Sequence, residues 1–169
     1  LLGKYLGLAT ALTLSTVLGF GLVAVMLLAH LTPSALLHYL GFMLSSVLLG
    51  LAFLSLAVMV SVLAGDRTRA SGMAIALWFL FVLVFDLLLL GALVLSGDSS
   101  AGVVFPYLLL LNPADVFRVL NIFSLDDVRT LYGLATVFPP ALAQPWMLGG
   151  VMLAWIIAPL GLATWRFHR

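Results

Sequence analysis

Four long apolar runs dominate this 169-residue chain and limit what it can fold into: about Tyr5 to Leu31, Ser34 to Ala64, Met73 to Leu95 and Trp146 to Trp165. A helix needs roughly 20 mostly apolar residues to cross a hydrocarbon core of about 30 Å, and each run meets that length. Soluble domains hold about 25% charged residues. Here the charged fraction is 8%, the hydrophobic fraction 64% and the mean hydropathy +1.29. So few charges cannot coat a water-facing surface around that much apolar side chain, and lipid must be the solvent. The expected fold is an all-α integral membrane protein, a single transmembrane domain of four helices.

The breaks between the runs carry their own chemistry. Thr32-Pro33 ends the first, because proline removes a donor and disfavours helix in the residue before it. The second run is longer than a bilayer requires and should tilt or leave Ser34 to Leu40 in the interface. The polar stretch GDRTRASG separates the second from the third, and Gln144-Pro145 precedes the fourth. Lys4, Arg67, Arg69, Arg166 and Arg169 then fall on one side of a four-span layout. Arg118 and Arg129 fall on the other, among Asp98, Asp115, Asp126 and Asp127. The positive-inside rule accordingly predicts both ends of this chain on the cytoplasmic face. The start lacks the charged, Met-led region of a cleavable signal peptide.

Between the third and fourth runs a helical segment is expected over about 103–143, on the outer face. VVFPYLLLL (103–111) is too short to span, and Pro106 within it suits a re-entrant or interfacial piece. In NPADVFRVLNIFS, Asn112 can cap, Pro113 suits the first helical position and Asp115 the first turn. Val116, Phe117, Leu120 and Phe123 share a face, which predicts an amphipathic outer helix. Ser124 and Asp127 form a capping box ahead of Val128, Leu131, Tyr132 and Ala135, and Pro139-Pro140 closes this second helix.

Several residues are candidates for more than filling. Gly3, Gly7, Ala11, Ser15 and Gly19 make a small-residue stripe along the first run, and Gly150, Ala154 and Ala158 repeat it in the last. Such stripes let helices approach closely in lipid; packing within the chain is the ordinary reading and a subunit interface the other. Pro159 should kink the last helix. Asp86 is the only acidic residue inside a run, where a charge costs roughly 2.5–3.5 kcal/mol. It is a translocation or gating candidate, or a packing residue hydrogen-bonded near Thr13, Thr16 or Ser46. Met26 and His30 share a helical face with His38 across the hairpin, a donor set suited to copper, although scattered Met residues more often fill gaps. The Trp residues sit mostly towards span ends, as interfacial aromatics do.

Other function classes find little support. With no Cys, disulfides and thiolate chemistry are excluded, and a net charge of +1 offers no nucleic-acid surface. No P-loop, HExxH or GxSxG motif and no paired catalytic carboxylates occur, so an enzyme is not expected.

Taken together, LLGKYLGLA entering a span, the basic GDRTRASG, the segment LLLLNPADVFRVL and a last span ending in WRFHR resemble ABC-2 type transporter permeases. Within that family the likeness is to permeases of nitrous oxide reductase maturation systems. The resemblance implies six spans, of which this chain matches the last four, so that LLGKYLGLA lies in the middle of a longer permease. It also implies a bacterial inner-membrane location and export of a sulfur or copper species. No cofactor would be bound by this chain; ATP and Mg²⁺ would sit on a separate ATPase subunit. Asp66, Arg67, Thr68 and Arg69 would be its coupling loop, although a solvated inside-positive loop explains those charges equally well. A second permease copy is implied, as is a periplasmic accessory protein docked on the outer helices through Asp115, Phe117 and Arg118. The alternatives are an ABC-2 exporter of lipid, glycan or drug, and a non-transport scaffold or haem-binding bundle. The bundle is disfavoured because His30 and His38 lie at the same boundary.

Overall fold

The computed structural model describes residues 1–28, 32–96, 101–123, 139, 142 and 144–167. Among them, four helices are long and apolar enough to cross a membrane, and no strand occurs. The first is α1 (Leu2–Leu27); the predicted end at Leu31 lies outside the described residues. Thr32 caps α2 (Pro33–Ala64), its Oγ1 accepting from Ala35 N at 3.3 Å with Pro33 at the first position. Gly65 ends α2 in the left-handed region, φ 75°, where a side chain would be strained.

The basic stretch after Gly65 differs from the expected loop. Asp66 accepts from Arg69 N at 2.7 Å, its second oxygen lies 3.2 Å from Arg69 Nε, and α3 (Arg67–Phe79) begins at once. The helix that carries the third span therefore starts at Arg67, six residues before the apolar run begins at Met73. The side-chain cap supplies the partner that an exposed helix N-terminus lacks, so the polar residues extend the helix instead of breaking it. One wide π-turn (Leu80–Val84) joins α3 to α4 (Phe85–Ser96), completing that span.

After α4 the chain turns back. The helix α5 (Ala101–Leu109), with Pro106 inside it, and α6 (Pro113–Phe123) form a helical hairpin ahead of the last span, α7 (Pro145–Phe167). At the hairpin tip, Trp155 Nε1 donates to Leu110 O at 3.1 Å. Trp155 is ten residues into α7, which at about 1.5 Å per residue lies ~15 Å inside the span, half the hydrocarbon thickness. The hairpin is thus re-entrant, and Trp155 is a mid-membrane anchor rather than an interfacial one. The expected amphipathic helix is α6. Val116, Val119 and Phe123 of α6 are buried with Leu142, Leu148 and Met152, while Phe117 and Leu120 are only partly covered. The helix predicted from Ser124 onward lies outside the described residues apart from Pro139.

At the centre is α2, which touches α1, α3, α6 and α7. In lipid, close approach and buried polar contacts hold helices together. Tyr5 OH and Ser55 Oγ meet at 2.9 Å, and Tyr39 OH donates to Phe20 O at 2.8 Å, setting α1 antiparallel to α2. Between these points Leu12 lies over Gly50, where an added Cβ would come within 2.9 Å of Leu12 Cδ2. Among the described residues, the expected packing stripe on α1 meets no neighbouring helix. Gly3, Gly7, Ala11, Ser15 and Gly19 are exposed, and a Cβ built at Gly3, Gly7 or Gly19 meets nothing within 4 Å. The notch that admits the neighbouring helix is Gly50 on α2, so α1 packs through the opposite face, with Tyr5, Leu12 and Phe20. On α7, Gly150, Ala154 and Ala158 are likewise exposed, whereas Pro159 is buried.

Candidate functional site at the third span and the re-entrant hairpin

The polar centre of the molecule begins with the π-turn. Widening one turn of the third span moves Phe85 N–H onto Leu80 O, and the neighbouring Phe81 carbonyl is taken by a side chain from another element. That side chain is Asn112, fully buried at the hairpin tip. Its Nδ2 donates to Phe81 O at 2.7 Å and to Asp115 Oδ2 at 2.8 Å, and its Oδ1 accepts from Ala114 N at 3.0 Å. Asn112 therefore caps α6 as its sequence position implied, and also ties the hairpin to the third span.

From Asp115 the network runs outward. Arg118 Nη1 donates to Asp115 Oδ1 at 2.8 Å and to Asp86 Oδ2 on α4, so one guanidinium serves two carboxylates. Asp115 is 3% exposed, whereas the Arg118 and Asp86 side chains are 43% and 37% exposed.

These contacts place the sequence candidates. Asp86 meets Arg118 rather than Thr13, Thr16 or Ser46; Thr16 and Ser46 bond locally to Leu12 O and Phe42 O. The carboxylate of Asp115 points inward and the Phe117 ring lies 5.9 Å from that of Phe42, which leaves Arg118 as the most open of the three outer candidates. Asp66, Arg67, Thr68 and Arg69 are all exposed, at the opposite end of the third span. Met26 is 74% exposed, His38 is exposed and His30 lies outside the described residues; among those described, no three His, Cys, Asp or Glu cluster as for a metal.

Sequence reasoning missed the π-turn, the reach of Asn112 and the pairing of Arg118 with Asp86. A charge within a span demands a partner, and Arg118 is one of two cations predicted on that side. Thirty-two residues separate the pair, however, so no local spacing links them. Beside the hairpin tip, Leu56, Met59, Leu110, Trp155, Ala158 and Pro159 help line a wholly apolar groove of about 440 Å³.

Sequence comparison with known proteins points to one family. A family model described as ABC-2 family transporter protein matches residues 1–169. Over 175 residues the chain is 41% identical to the "Probable ABC transporter permease protein NosY" of Pseudomonas aeruginosa, a match covering 100% of this chain and 62% of that relative. Over 176 residues it is 38% identical to the protein of the same name from Stutzerimonas stutzeri, covering 100% and 63%. The chain thus spans less than two thirds of the length of these curated relatives. With a family match along every residue and four apolar spans in the fold, the chain belongs to the ABC-2 family of transporter proteins.

Proposed function

We propose that this chain is the membrane-embedded part of an ABC transporter permease in the bacterial inner membrane, with Lys4, Arg67 and Arg166 on the cytoplasmic side. It does no catalysis itself. ATP and Mg²⁺ bind a separate ATPase subunit, which drives two permease copies between inward-open and outward-open states. Contact with the ATPase falls at the exposed start of the third span, Asp66 to Arg69, where a capped helix end transmits force better than a loose loop. The cargo is a sulfur or copper species used to mature nitrous oxide reductase, and a periplasmic accessory protein receives it. The observation that carries this reading is the match of the whole chain to two proteins named as NosY permeases.

Deleting the gene in a denitrifying host is expected to leave nitrous oxide reductase exported but without its copper–sulfur chromophore, restored by the intact gene. A fully assembled reductase in the deletion strain contradicts the cargo. The apolar groove favours a second reading, an exporter of acyl-bearing lipid or glycolipid. ATP-dependent lipid movement in proteoliposomes, with normal reductase in the deletion strain, distinguishes it.

A further inference from the structure

The Asp86, Arg118 and Asp115 cluster has a property that a simple bridge between helices lacks. Arg118 pairs across the seam with Asp86 of α4 and, within its own helix, with Asp115 three residues earlier. Parting α4 from α6 breaks the first pair and leaves the second. The guanidinium keeps a carboxylate, so Asp86 alone loses its partner. Stranding a buried ion is what makes most such separations costly.

The surroundings are asymmetric in the same sense. Helix α6 is fixed to α2 and α7 by Val116, Val119 and Phe123 against Leu148 and Met152, and by Ser45 Oγ donating to Asn121 Oδ1 at 3.1 Å. Below the seam, the Phe81 ring lies between Phe53 and Trp155, at 6.4 and 5.4 Å, holding the π-turn to the same two helices. Above it, among the described helices, α4 packs chiefly on α5, to which it is joined, and most of its side chains are exposed. Leu87, Leu88, Leu90, Val94 and Leu95 are exposed by 59% or more, and Leu89, one turn from Asp86, is the only residue buried between Phe85 and Leu95. The π-turn stands between the fixed and uncovered parts of the span, and such turns mark points where helices bend.

We propose that α4 hinges at Leu80–Val84 away from α6 during transport, and that Arg118 is the latch, retained by Asp115 while its contact with Asp86 opens and closes. This rests on the permease reading above. Arg118 and Asp115 act as positioning residues for the moving helix.

The test uses the full permease co-purified with its ATPase in proteoliposomes. This chain has no Cys, so Leu89→Cys introduces a single reporter for N-ethylmaleimide within it. Labelling is expected to be slow at rest and to change when ATP and vanadate trap the complex. Adding Asp86→Asn should raise the resting rate about tenfold, the factor for losing one charge-assisted hydrogen bond, and Asp86→Glu should return it to the parental rate. The exchange Asp86→Arg with Arg118→Asp rebuilds the bridge but leaves α6 with two carboxylates and no cation whenever the seam opens. Slow resting labelling with loss of the nucleotide response supports the latch. An exchange protein matching the parent in both respects shows a static bridge and overturns it, as does an unchanged rate in Asp86→Asn. If the exchange protein fails to accumulate, the Asn and Glu variants decide. A parental complex that hydrolyses no ATP contradicts the permease reading itself; one that hydrolyses ATP with no change at Leu89→Cys contradicts the hinge alone.

Discussion

Asn112 joins a carbonyl in the third span to the first turn of α6 and to the Asp115 carboxylate within that turn. Asn112→Ala is expected to cost about 1–3 kcal/mol, because it leaves a buried carbonyl without a donor. Asn112→Asp should cost at least as much, since it cannot donate to Phe81 O and adds a charge beside Asp115. Thermal unfolding in detergent measures both; a stability equal to that of the parent contradicts the assignment.

At the scale of elements, local chemistry was legible wherever a partner lay within a few residues. Pro33 after Thr32, Asn112 before Pro113 and Pro145 after Gln144 each mark a helix start that the structure has. Reading GDRTRASG as a loop failed because its polarity was weighed above the capping power of Asp66. Asp66→Ala is expected to fray the Arg67 to Arg69 turn at a cost of about 1 kcal/mol. Faster amide exchange at Ala70, which bonds to Asp66 O at 3.0 Å, would report it; unchanged exchange contradicts the cap. The π-turn had no such local sign. It depends on Asn112, thirty-one residues away, accepting the role of hydrogen-bond partner for Phe81.

For the whole molecule, the glycines give a clear contrast. Gly7→Leu and Gly19→Leu should leave the unfolding temperature of this chain unchanged, because a Cβ there meets nothing within 4 Å. Gly50→Leu should lower it by an amount equivalent to about 1–3 kcal/mol, since α1 and α2 must separate around Leu12. Equal effects at all three positions would show that the α1 and α2 contact is misplaced. Hydropathy and length alone determined that the chain lives in lipid, how many times it crosses, and where its basic residues collect, because those properties are sums over consecutive residues. Which face of α1 packs, how deep the hairpin enters and which cation answers Asp86 were decided only by the tertiary structure. Lipid is indifferent to which apolar face it covers, so the choice falls to close-packed notches and buried polar pairs contributed by residues far apart in the chain.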